Sequence, residues 1–67
     1  MASVRKVGDR MEQFAMRCYE AHRMAFECWN YGGIDKAWAD GDGILCIRYD
    51  SGDWWHYAVE DGLVVWW

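Results

Sequence analysis

The sequence predicts an α+β fold, with one long N-terminal helix packed on a three- to four-stranded antiparallel β-meander. Two observations predict it. Apolar residues recur at alternating spacings of three and four through the first thirty or so residues, and from Ile34 onward the apolar period drops to two between Gly-containing turns. The chain of 67 residues has room for one domain, residues 1–67. A chain this short buries a small share of its surface. Six Trp, four Tyr and two Phe offset that shortage, since each ring can bury roughly 150–250 Å². Proline is absent and no low-complexity stretch interrupts the pattern, so no linker is expected.

The helix is predicted over about residues 3–30. Val4, Val7, Met11, Phe14, Cys18, Ala21, Ala25 and Cys28 line one face of it. Ser3 is a candidate N-cap, and Asp9-x-x-Glu12 offers a second start with capping-box spacing. Gly32-Gly33 is the expected stop, since Gly takes the left-handed conformation that ends helices. The stripe is bulky in its first half and small in its second, which predicts that the C-terminal half lies closest to the sheet.

Strands are expected at about 34–39, 44–50, 53–60 and 63–67, separated by Asp40-Gly41-Asp42-Gly43, Ser51-Gly52 and Asp61-Gly62. Turns this close leave no room for crossovers. With two-residue loops at Ser51-Gly52 and Asp61-Gly62, Tyr49 faces Trp54, Ile47 faces His56 and Leu45 faces Ala58, with Leu63, Val65 and Trp67 on that side. Ile44, Cys46, Arg48, Trp55, Tyr57, Val59, Val64 and Trp66 take the other side. A one-residue bulge in either turn exchanges parts of these lists. Both faces come out apolar, and one helix covers one face.

Charge divides unevenly. Residues 1–30 hold Arg5, Lys6, Arg10, Arg17 and Arg23 against Asp9, Glu12, Glu20 and Glu27, a balance of +1. The remainder holds Lys36 and Arg48 against seven acids, a balance of −5. An acidic sheet half argues against direct nucleic-acid binding and favours a partner with a basic surface. No apolar run reaches the roughly 20 residues of a membrane span, and an odd number of cysteines without a secretory apolar segment predicts reduced thiols in a cytoplasmic protein.

Chemistry-bearing motifs are few. The Asp40–Gly43 run lacks the spacing and terminal Glu of a calcium loop. Cys18 and His22 stand at i, i+4, a spacing that can chelate zinc, and Cys46, His56 or Cys28 are the residues that would complete such a site. With two local ligands only, Cys18 reads better as a core residue and His22 as a residue at the stripe's edge. Cys–His nucleophilic catalysis would need an orienting group and an oxyanion hole that nothing specifies. Neither catalysis, a metal nor a cofactor is expected.

The aromatic excess points to binding. Part of it fills the core, and Trp55, Tyr57 and Trp66, with Arg48 among them, are expected to form an exposed anchor of the kind enriched in interface hot spots. Asp40, Asp42, Asp50, Asp53 and Asp61 on the loops would steer it to a basic surface. A small-ligand or carbohydrate module using the same Trp/Tyr face is the alternative. The run Val64-Val65-Trp66-Trp67 on an edge strand also predicts homodimerisation.

The segment from Lys36 to Tyr57 (K-x-W, then G-x-L-C-I-x-Y, an acidic-Gly turn and W-W-H-Y) resembles a hairpin found in small proteins of bacterial phages and mobile elements. It covers about a third of the chain and includes no catalytic motif. Compact acidic proteins of that setting include anti-CRISPR inhibitors. The resemblance implies a non-enzymatic role in which the protein occludes a host protein such as a CRISPR nuclease complex, and it assigns no residues.

Overall fold

The computed structural model describes residues 6–67, and side-chain surroundings from Arg10 onward. Ser3 and Val4, and the side chains of Val7 and Asp9, lie outside the described residues. The elements are α1 (Lys6–Met24), β1 (Ile34–Ala39), β2 (Leu45–Tyr49), β3 (Trp54–Glu60) and β4 (Leu63–Trp66). The strands form one sheet in the order β1-β2-β3-β4, every neighbour antiparallel. The architecture is thus the α+β meander with an N-terminal helix that the period change predicts.

α1 lies on one face of the sheet, against β2 and β4. Ala15, Cys18 and His22 are buried along it, with Met11, Phe14 and Tyr19 half-buried beside them. Opposite them, Leu45, Ile47, Tyr49 and Tyr57 complete the core, and Ile34, Ala37, Trp55, Val64 and Trp66 pack around it. The small side chain of Cys18 lets the helix axis approach the sheet. The buried line runs 11, 15, 18, 22, so His22 sits at the centre of the stripe and not at its edge. Ala25 and Cys28, which the expected stripe included, are exposed.

The helix stops at Met24, well short of residue 30. Ala25 and Phe26 donate their amides three residues back, to His22 and Arg23 carbonyls at 3.1 Å each, which tightens and ends the last turn. Length supplies the reason. Nineteen helical residues already span about 28 Å, whereas the seven of β3 span about 24 Å. A longer helix would carry Phe26 and Trp29 past the sheet into water. Instead residues 25–33 fold back across the end of the core. The Trp29 indole donates to the Gly32 carbonyl at 2.7 Å, and its ring lies 5.0 Å from His22 and 5.1 Å from Tyr49. Tyr31 meets Trp55 edge-on at 4.8 Å.

Gly32-Gly33 therefore does not cap the helix. It docks this return loop on the β2–β3 turn. Gly33 donates its amide to the Asp50 carboxylate at 3.0 Å and accepts from the Asp50 amide at 3.0 Å. Gly32 has φ +82, and a Cβ there would lie 2.8 Å from Asp50 Cβ.

Register is where expectation and structure part. Asp61 and Gly62, at φ 53 and 79, form the two-residue turn expected, and Ala58 pairs with Val65. The β2–β3 turn holds three residues instead. Tyr49 donates its amide to the Asp53 carbonyl at 2.9 Å, Gly52 donates back to Tyr49 at 2.8 Å, and Gly52 takes φ +95. This is a three-residue loop closed by a left-handed glycine. Leu45 thus pairs with Tyr57, Cys46 with His56, Ile47 with Trp55 and Arg48 with Trp54. The slip of one residue exchanges the faces of β1 and β2 relative to β3 and β4. Trp55, Tyr57 and Trp66 therefore do not form an exposed anchor. They share the helix-covered face with Leu45, Ile47 and Tyr49, and Tyr57 has no exposed surface.

Candidate functional site

The face turned away from α1 is built by alternation. Lys36, Trp38 and Asp40 reach it from β1 and the turn that follows. Cys46 and Arg48 come from β2, Trp54, His56, Ala58 and Glu60 from β3, and Leu63, Val65 and Trp67 from β4 and its continuation. Trp67 extends the ladder by exchanging both backbone hydrogen bonds with His56, at 3.0 and 3.1 Å.

This open face carries a continuous aromatic strip. Trp38 and Trp54 are 5.7 Å apart, Trp54 and His56 5.0 Å, and His56 and Trp67 are stacked at 5.2 Å with their planes 4° apart. Lys36 holds its ammonium 5.9 Å from the Trp38 ring. Trp54 and Trp67 keep about half their surface in water, 49% and 54%, and Leu63 keeps 70%. No family model, curated protein or solved structure matches the chain. The chemistry of this face has to be read from its own residues.

Of the residues the sequence singled out, Arg48 alone among the aromatic–arginine group lies here. A register irregularity at Asp35 places that carboxylate against Arg48, with Nε and Nη2 donating at 2.9 and 2.8 Å. All five loop aspartates are exposed, but they do different work. Asp50 holds the return loop, as above. Asp53 accepts the Ser51 hydroxyl at 2.9 Å and closes its own turn. Asp42 and Asp61 take positive φ, 51 and 53, at turn tips. Both of those turns lie at one end of the meander, beside Glu60, so Asp40, Asp42, Glu60 and Asp61 make an acidic rim along that end of the open face.

Trp38, Trp54, His56 and Trp67 are the members that sequence reasoning left out of the binding face. The signal for them was the Asp-Ser-Gly-Asp turn. Read as a three-residue loop with Gly in the left-handed position, it puts Trp54 and His56 on the face of Trp38 and Cys46.

Asp40, Cys46 and His56 also converge here, with a carboxylate oxygen, the sulfur and an imidazole nitrogen all within 4.8 Å of one another. Cys46 is 1% exposed although no helix covers it, because the side chains of its own face close over it. That burial, and then the Asp40 carboxylate, push its thiol pKa up. On the other side of the sheet, burial pushes the Cys18 thiol up to about 11 against a small opposing pull from Arg17. Neither thiol is activated as a nucleophile. Cys18 and His22 stand across the sheet from Cys46 and His56, so the zinc set considered from the helix spacing does not come together.

His22 instead belongs to a buried polar line. Its Nδ1 lies 2.7 Å from the Tyr57 hydroxyl, which lies 2.6 Å from that of Tyr49. Whichever way the protons run, Tyr57 donates to one neighbour and accepts from the other. Trp29, Trp55 and Trp66 close around the imidazole at 5.0, 4.9 and 4.5 Å. It is a satisfied core histidine.

A separate groove of about 570 Å³ runs between α1 and β1, lined by Met11, Ala15, Met16, Ile34 and Ala37. It is an apolar channel with Glu12, Asp35 and Lys36 at its walls.

Proposed function

We propose that the protein is a non-enzymatic binding module that docks a host protein through the open sheet face and blocks a basic, functionally important surface of it. The observation that carries the reading is the Trp38–Trp54–His56–Trp67 strip on the open face, with Trp54 and Trp67 half-exposed, edged by Asp40, Asp42, Glu60 and Asp61. Aromatic anchors inside a charged rim are the anatomy of an interface hot spot, and the balance of −5 over residues 31–67 selects a basic partner. A surface that normally holds nucleic acid has that character, and the resemblance of the 36–57 segment to phage and mobile-element proteins suggests a nucleic-acid-processing enzyme such as a CRISPR nuclease complex. The anchor residues differ from those expected from sequence, while the kind of function is the same.

The test compares the wild-type chain with a Trp54→Ser/Trp67→Ser variant of equal circular dichroism. Each is used as bait, and any captured protein is assayed for its own activity. A partner held at least about tenfold more weakly by the variant, the loss expected for two hot-spot side chains, and inhibited by the wild-type chain alone, supports the reading. Equal capture by both forms overturns it. So does concentration-dependent dimerisation abolished by the same substitutions, because a second copy would then occupy the face.

A further inference from the structure

We propose that Asp40, Cys46 and His56 form a zinc-binding site on the open face, with one coordination position left for water or for a group outside this chain. The inference does not rest on the docking reading.

Three different elements supply the ligands. Cys46 and His56 are direct cross-strand partners on β2 and β3, so their side chains stand side by side on one face of the pleat. Asp40 follows β1 two residues after Trp38, which itself pairs with Cys46, and so reaches the same spot from the diagonal. A thiolate, an imidazole and a carboxylate are the mixed S, N, O set that suits Zn²⁺, and the sulfur excludes the hard cations Ca²⁺ and Mg²⁺. Three protein ligands with a fourth position open is the arrangement of an accessible centre, whereas a closed structural site takes four.

Distance decides whether the set can close. Bonds of about 2.0–2.3 Å in a tetrahedron put ligand atoms roughly 3.3–3.8 Å apart. The three atoms here lie within 4.8 Å of one another, so closure needs about an ångström of movement. Asp40 is exposed and sits in the β1–β2 turn, where a χ rotation provides it without disturbing a strand. His56 is already held, between the Trp54 ring at 5.0 Å and the stacked Trp67 at 5.2 Å. Among the described residues no hydrogen bond engages its imidazole, and no buried side-chain nitrogen or oxygen lacks a partner, so its ring nitrogens face solvent. A nearly parallel, stacked Trp67 on one side and the sheet beneath fix the ring that must ligate. The Cys46 sulfur is itself almost fully buried, so little water competes for it.

Reduced, metal-free chain is titrated with Co²⁺ and then Zn²⁺, with no partner present, so that failure here and failure of docking are separate results. The expectation is one Co²⁺ per chain, with thiolate-to-cobalt absorption and the intense visible bands of a tetrahedral centre, all removed by one equivalent of Zn²⁺. Cys46→Ser should abolish the thiolate band. His56→Gln and the turn variant Asp40→Asn should each weaken Zn²⁺ binding at least about tenfold. Asp40→Asn leaves the core untouched, so it reads binding even if a strand variant misfolds. Cys28→Ala, at an exposed thiol in the segment between α1 and β1, should bind as the wild type does. Absence of a thiolate band in the wild type overturns the proposal. So does a band that survives Cys46→Ser but vanishes in Cys28→Ala, or wild-type affinity in both Asp40→Asn and His56→Gln.

Discussion

Tyr57 is the residue on which the core's polar chemistry turns. Its hydroxyl joins His22 and Tyr49 at 2.7 and 2.6 Å in a region with no water access. Tyr57→Phe leaves both neighbours without that partner, at a cost of about 1–3 kcal/mol. In a chain of this size each kcal/mol moves the thermal midpoint by about 4–8 °C, which circular dichroism melts would show. Burial also sets the pH response. It lowers the His22 pKa below 6.5, so above pH 6.5 the imidazole is neutral in folded and unfolded chains alike and the stability is full. Below that, the unfolded chain takes up a proton that the folded chain refuses, and stability falls by up to about 1.4 kcal/mol per pH unit. At the alkaline end, burial pushes Tyr49 up to about 12 and Tyr57 upward, so stability is lost as the pH rises past 10. Denaturant midpoints from pH 5 to 8 check the acid limb. His22→Gln should flatten it, and an unchanged slope would assign the limb to other groups.

At the scale of the element, the β2–β3 turn decides which aromatics are buried. Gly52 takes φ +95 there with open space where a Cβ would go. Gly52→Ala therefore meets backbone strain rather than a clash, and should destabilise by about 1–2 kcal/mol, measured by urea unfolding. The turn's Asp-Ser-Gly-Asp sequence is compatible with a two- or a three-residue loop, and the choice is made by packing. The three-residue loop turns Leu45, Ile47, Tyr49, Trp55 and Tyr57 toward α1 together. The two-residue loop would have paired Tyr49 with Trp54 and split those side chains between faces. The helix shows the same division. Its periodicity locates the buried stripe to within a residue, yet where it ends depends on the sheet beneath it, which is too short to cover residues 25–30.

For the whole molecule, charge is segregated by half, and the exposed turn acids lie on the sheet. Asp42 and Asp61 sit at exposed turn tips and, among the described residues, make no side-chain hydrogen bond. Asp42→Asn/Asp61→Asn removes both charges while keeping a side chain that tolerates the left-handed backbone, and should leave the melting temperature within about 2 °C. It should slow partner association and flatten its dependence on ionic strength, which surface plasmon resonance at two salt concentrations would resolve. Asp50 and Asp53 are poor choices for that experiment, because their carboxylates hold the Gly33 amide and the Ser51 hydroxyl.

The sequence by itself determined the order of elements, the antiparallel meander, the acidic sheet half and the presence of one more apolar face than a single helix can cover. Those follow from local periods and turn chemistry, which act over a few residues. Tertiary structure alone decided which face that is. Side-chain alternation has a period of two, so one additional residue in the β2–β3 loop moved Trp55 and Tyr57 under the helix and left Trp54 and His56 in the open. The same slip set Cys46 directly across from His56, while the β1–β2 pairing brings Asp40 to them, a meeting across three elements that no local spacing records.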